Sequence, residues 1–213
     1  MMKKYTAKDF ETFERNEWGW LICPSGDYTG IKTFPEKCIF GKGCNFGRRS
    51  NFGVMCGFGD GCTFGEMCNF DAWNSFGDWG NFSEGCNFGA WSSFGKRSIF
   101  GEASRFGACS SFGKWCSFGG RCTFGELSSF GEKCSHEGLT NSIYVAIDRI
   151  GSELRKTYFF KAEEGYFVRA GCFFGTLDEF KTKVRATHEG TIHEQTYLMA
   201  CELAVKLLDE QWK

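Results

Sequence analysis

Phenylalanine recurs at every sixth position from Phe34 to Phe130, without a slip or an insertion. From Phe40 onward, a small residue, most often Cys or Ser, stands two positions before each Phe, and Gly follows nearly every Phe. Residues two apart in an extended strand point to the same side. The small residue and the Phe are therefore expected to share a buried face, with the Gly giving the chain freedom to turn a corner.

Three such six-residue steps predict a triangular coil of 18 residues. The fold predicted for residues 34–134 is thus mainly β, a parallel β-helix of about six coils. Coils stack at about 4.8 Å, which would place equivalent Phe rings in offset stacks. Because each Phe alternates with a small partner, the interior can be filled densely, and the Phe ladder should be the main source of stability. Asn74 and Gly80 break the Cys/Ser column and predict a local widening or kink.

The repeated unit Phe-Gly-x-x-Cys/Ser-x resembles that of the hexapeptide-repeat, left-handed β-helix proteins, in which the Phe position is usually aliphatic. The resemblance covers about half of the chain. It implies a left-handed coil, whereas the general rule for parallel crossovers favours the right hand. It also implies parallel packing as trimers, and many members of this group are acyltransferases that use coenzyme A.

The flanking residues predict two appended parts. Residues 1–33 are expected to form a short N-terminal helical cap, with a helix-start pattern from Thr6 to Asp9. Residues 135–213 predict a small α+β module, a hairpin followed by two helices that begin at capping boxes after Thr176 and Thr191. The segment 168–180 is similar to the C-terminal modules of uncharacterised phage and prophage repeat proteins, which implies a phage origin.

Sorting the outward positions by 18 separates one apolar column from two that are mostly charged. A contiguous apolar strip is usually covered, so we predict that it is an oligomer or partner interface, in a dimer or a trimer, unless the C-terminal segment covers it. Trp79 and Trp115 form a possible second aromatic patch. The predicted interface consists of Val54, Met55, Ala72, Trp73, Ala90, Trp91, Ala108, Cys109 and Leu127.

Charge and cysteine content narrow the function classes. Basic and acidic residues number 25 and 26, so no basic patch predicts nucleic-acid binding. No apolar run predicts a secretion signal or a membrane partner, and a cytoplasmic location is expected, in the host cytoplasm if the protein is phage-encoded. The 13 cysteines are then predicted to be thiols. Their six-residue spacing does not match zinc motifs, so neither a metal nor another cofactor is expected.

Catalysis has few candidate residues. If the protein is an enzyme, His136 is the candidate base, because His188 and His193 lack the His-Glu-x-x-His spacing of zinc enzymes. We therefore expect a non-catalytic, oligomeric binding or scaffold protein. The resemblance to phage proteins adds the hypothesis that it binds and inhibits a host protein, or sequesters a host signalling ligand, in counter-defence. The alternatives are a coenzyme A-dependent acyltransferase and a structural or adhesive phage component.

Overall fold

The computed structural model describes residues 2–212. The chain divides into two compact units, Met1–Gly138 and Leu139–Lys213, called here the β-helix unit and the C-terminal module. Within the described residues, neither α-helix combines the length and the apolar character needed to cross a lipid bilayer.

The β-helix unit is a parallel β-solenoid of about six coils, which confirms the predicted fold class. Successive short strands visit three sheets in turn, and within the hexapeptide repeat each strand pairs in parallel with the strand 18 residues later. The first sheet contains Leu21–Cys23, Cys38–Phe40, Gly57–Phe58, Ser75–Phe76, Ser93–Phe94, Ser111–Phe112 and Ser129–Phe130. The second contains Asp27–Tyr28, Asn45–Phe46, Thr63–Phe64, Asn81–Phe82, Ile99–Phe100, Ser117–Phe118 and Ser135–His136. The third contains Thr33–Phe34, Asn51–Phe52, Asn69–Phe70, Asn87–Phe88, Arg105–Phe106 and Thr123–Phe124.

The phenylalanines form the predicted ladder. Phe82 stacks on Phe64 at 4.7 Å and on Phe100 at 4.9 Å, with rings within 5° of parallel. It also meets Phe88 edge to face at 5.1 Å. Stacking within a column and edge-to-face contact between columns are both favoured aromatic geometries. The interior is thus a herringbone of rings, of which the repeat predicted the stacks but not the edge-to-face contacts.

The glycine that follows most of the repeat phenylalanines has a different role from the one predicted. Gly113 does not have a positive φ. Instead, a Cβ on Gly113 would lie 2.7 Å from the backbone nitrogen of Lys96 in the preceding coil. Close approach between coils therefore excludes a side chain there. The left-handed backbone that turns the corner lies two residues later, as at Trp115 with φ 60°.

The coils begin upstream of Phe34, the residue at which the hexapeptide register starts. Leu21–Cys23 already pairs with Cys38–Phe40. The helical part of the N-terminal segment is a single 3₁₀ turn, Ala7–Glu11. Aromatic rings cover the first coil, because Tyr5 stacks on Tyr28 at 4.9 Å and Phe10 meets Phe34 edge on at 5.9 Å.

The local widening or kink expected around Asn74 and Gly80 is not found, and that prediction was wrong. The Phe58–Phe76 and Phe64–Phe82 stacks beside these residues have ring spacings of 4.8 and 4.7 Å, like those of the other coils. The strands on either side keep their register, and the Asn74 side chain is buried. Its Oδ1 accepts a hydrogen bond from the Cys56 N–H at 2.7 Å, and its Nδ2 donates to the Asp71 carbonyl at 2.6 Å. The amide therefore satisfies backbone groups of two successive coils.

The C-terminal module is a four-stranded antiparallel sheet packed with two helices. Both helices start at the predicted caps: the Thr176 N–H donates to Glu179 at 2.8 Å, and the Glu194 N–H donates to the Thr191 hydroxyl at 3.4 Å. The last strand was not predicted. The elements are strands Ile143–Ile150, Arg155–Ala162, Gly165–Ala170 and Phe173–Thr176, helix α1 (Leu177–His188) and helix α2 (Ile192–Gln211). Their core comprises Phe159, Val168, Leu177, Phe180, Val184, Ala200, Cys201, Ala204 and Leu208.

Candidate functional site

Three columns of corner residues run along the β-helix unit, each residue adopting the left-handed backbone conformation. Corner A consists of Lys37, Met55, Trp73, Trp91, Cys109 and Leu127; corner B of Gly43, Gly61, Trp79, Arg97, Trp115 and Lys133; and corner C of Arg49, Met67, Gly85, Ala103 and Arg121. The corners differ in chemistry. From Met55 to Leu127, corner A carries neither a charge nor a glycine.

Corner A brings the predicted interface residues together. The indoles of Trp73 and Trp91 stack at 5.1 Å and within 5° of parallel, and their side chains are 53% and 52% exposed. Met55 is 38% exposed and Leu127 is 85% exposed. The strip therefore occupies an edge of the triangular coil, not one of its flat sides.

The smaller predicted residues form the partly buried base of this edge. Val54, Ala72, Ala90 and Ala108 each precede a corner A residue and are of intermediate burial. Their carbonyls accept hydrogen bonds from the corner N–H one coil earlier, as from Trp73 to Ala90 at 3.0 Å and from Trp91 to Ala108 at 2.9 Å. The hydrogen bonds fix the spacing of the aromatic side chains along the axis.

Corner B contains the second pair of tryptophans, but they do not touch each other. The Arg97 guanidinium lies between them, 4.6 Å from the Trp79 ring and 5.2 Å from the Trp115 ring. Ion pairs Lys42–Asp60 at 2.8 Å and Lys114–Glu132 at 2.7 Å lie along the same corner. Corner B is thus a cation–π stack with charged neighbours. Arg97 lies one coil from each tryptophan and was not identified as a site residue from the sequence.

The aromatic residues at these corners are not required by the turn itself. A residue with a Cβ generally pays about 1–3 kcal/mol to adopt the left-handed conformation, and glycine adopts it freely at Gly43, Gly61 and Gly85. Tryptophan, the largest side chain, nevertheless occupies four corner positions. These indoles are exposed, so packing of the β-helix core does not explain why tryptophan stands at these corners. We therefore look for their role at the surface.

The cysteines of the repeat form buried thiol pairs one coil apart, at the pairs of positions expected from the 18-residue period. The hydrogen bond with Cys44, followed by burial, raises the pKa of Cys62 well above the ordinary thiol value. The same two causes raise the pKa of Cys86 through Cys68, and that of Cys116 through Cys134. The raised pKa favours the protonated form of Cys62, Cys86 and Cys116, which is a poor nucleophile and a poor metal ligand.

The histidines lie apart from the corners. His136 is 2% exposed and occupies the Phe position of the last coil, where it stacks on Phe118 at 5.1 Å. A general base must reach the proton that it removes, and this ring is enclosed by the aromatic ladder. His188 and His193 belong to the C-terminal module, with ring centroids 5.9 Å apart.

Within residues 2–212, no three His, Cys, Asp or Glu side chains are grouped so that they could hold a metal ion. Comparison of the chain with models of protein families, with curated proteins and with solved structures gives no match. Corner A is the most distinctive exposed feature of the β-helix unit and is taken here as the candidate functional site.

Proposed function

We propose that this protein is a non-catalytic binding scaffold that self-associates through corner A of its β-helix unit. The observation that supports this most is the exposed Trp73–Trp91 stack, in one column with Met55, Cys109 and Leu127, on backbone positions where glycine would cost less. Tryptophan and methionine are enriched at protein–protein interfaces, and tryptophan is the commonest residue type among energetic hot spots.

The direction of the strip constrains the assembly. Corner A runs along the axis of the coils, so it can meet the same corner of other copies around a twofold or a threefold axis. Either arrangement closes and leaves no free copy of the strip. We propose a dimer or a trimer, the latter being what the resemblance to left-handed hexapeptide-repeat proteins implies.

The biological role that we propose rests on that resemblance and on the similarity of segment 168–180 to phage repeat proteins. In this proposal the chain is phage-encoded, acts in the host cytoplasm, and binds and inhibits a host protein or sequesters a host signalling ligand. Self-association would then present two or three copies of the C-terminal module at once, which raises avidity without any new contact.

Native mass spectrometry of the purified protein tests the self-association. The mass of one chain is 24.0 kDa, and we expect the main species to be two or three times that mass at micromolar concentration. A single-chain species that persists as the concentration is raised would contradict the proposal, whatever the identity of the partner.

A further inference from the structure

The C-terminal module contains a cavity of about 170 Å³ between helix α1, helix α2 and the turn that follows Ala170. Its volume is close to that of an engineered apolar cavity of about 150 Å³ that holds benzene. Every residue that lines it belongs to the module. The cavity is therefore a property of one folded unit and is large enough for a single six-membered ring.

The inner walls of the cavity are apolar and firmly placed. Phe180 and Val184 are each 4% exposed and belong to the module core. Phe180 lies 5.4 Å from Phe173 in a tilted arrangement, and 5.5 Å from Tyr197 edge to face. Phe173 and Tyr197 thus both pack on Phe180, and the three residues give the cavity an aromatic wall. Such a wall favours a planar apolar group, which can make stacked or edge-on contacts with it.

The mouth of the cavity carries the ammonium group of Lys183. His188, Cys172, Thr187 and Tyr197 also line it. The Lys183 Nζ lies over the Phe173 ring, 5.4 Å from its centroid, and makes no ion pair with any residue of the described range 2–212. Asp and Glu are missing from the described lining. A ligand with a negative charge at one end would complement this mouth, because its charge could pair with the exposed Lys183 ammonium.

We propose that this cavity binds a small aromatic carboxylate, with the ring against the wall formed by Phe173, Phe180 and Tyr197 and the carboxylate toward Lys183 and His188. The site shares no residue with corner A, so the proposal does not depend on whether the β-helix unit self-associates. Pockets of this kind, with an apolar wall and few polar groups that fix orientation, are the usual form of small-molecule sites.

Benzoate is the probe that tests the proposal, with benzyl alcohol as the uncharged analogue and acetate as the anion without a ring. Isothermal titration calorimetry on the full chain should give a Kd on the order of 1 mM for benzoate, and at least tenfold weaker binding for both analogues. Benzoate should also slow the alkylation of Cys172, whose exposed thiol lines the cavity, while leaving that of Cys109 unchanged.

Two substitutions on helix α1 sharpen the test. Lys183→Ala should weaken benzoate about tenfold, because it removes the charged partner of the carboxylate. Arg185→Ala is the matched control, since Arg185 is an exposed cation of the same helix that does not line the cavity, and it should leave the affinity unchanged. Thr187→Trp, at the exposed mouth, should abolish binding and protection of Cys172.

The proposal is overturned if benzyl alcohol binds as tightly as benzoate, if Arg185→Ala weakens binding as much as Lys183→Ala, or if saturating benzoate leaves the alkylation of Cys172 unchanged. None of these outcomes depends on the oligomeric state. A failure here is therefore distinguishable from a failure of the self-association proposed for corner A.

Discussion

In the β-helix unit, the residues that stabilise the fold differ from those that form the exposed surface, whereas in the C-terminal module some residues do both. In the β-helix unit the rings that stabilise the coil point inward, and the corner residues that vary from coil to coil point outward, as Phe76 and Trp73 do. In the module, Phe180 and Val184 belong to the core and also line the cavity. A solenoid can thus change its surface without repacking, whereas a small α+β unit changes both together.

The largest expected effect compares one core aromatic from each unit. Phe82→Ala should destabilise the β-helix unit, and Phe180→Ala the module, by about 3–5 kcal/mol each, because both rings are almost fully buried. Since each unit has its own core, amide hydrogen exchange measured by mass spectrometry should show the loss in the substituted unit alone. Equal loss in both units after either substitution would mean that the two cores are coupled.

A smaller effect should follow from adding one methyl group between coils. Gly113→Ala places a Cβ against the Lys96 backbone, and we expect a loss of about 1–3 kcal/mol in chemical denaturation. Gly61→Asn is the matched control, because Gly61 has a φ of +67° with open space beyond it, and Asn tolerates that conformation. If the two variants lose the same stability, close approach of the coils is not what selects glycine after Phe.

Much of the β-helix unit could be predicted from the sequence because the sequence repeats every six residues. A period of six assigns each Phe and its small partner to the interior and identifies the corner residues. The Phe stacks and the corner A column follow from that assignment. The role of Gly113 could not be inferred, because it depends on the distance between coils. Asn74 appeared as a defect because its two hydrogen bonds join groups of different coils.

The module and corner B show the limits of reasoning from local patterns. Thr176 and Thr191 cap the two helices as predicted, since a cap is formed by residues close in sequence. The full capping box forms at Thr176, whereas the Glu194 carboxylate accepts from the Gly190 N–H and not from the Thr191 N–H. The strand Phe173–Thr176 was missed because it is four residues long, contains Gly175 and runs directly into the cap of α1. The Trp–Arg–Trp stack of corner B joins residues 18 apart and is visible only when Arg97 is placed in the same column as Trp79 and Trp115.

The most direct test of the account is sedimentation velocity of a variant that carries Trp73→Asn and Trp91→Asn. Asn keeps the left-handed corner, so the far-ultraviolet spectrum and the melting temperature should stay close to those of the parent protein. The account predicts that this variant sediments as a single chain, while the matched pair Trp79→Asn and Trp115→Asn at corner B sediments like the parent oligomer. An unchanged oligomer in the corner A variant, with the β-helix intact, would contradict the account.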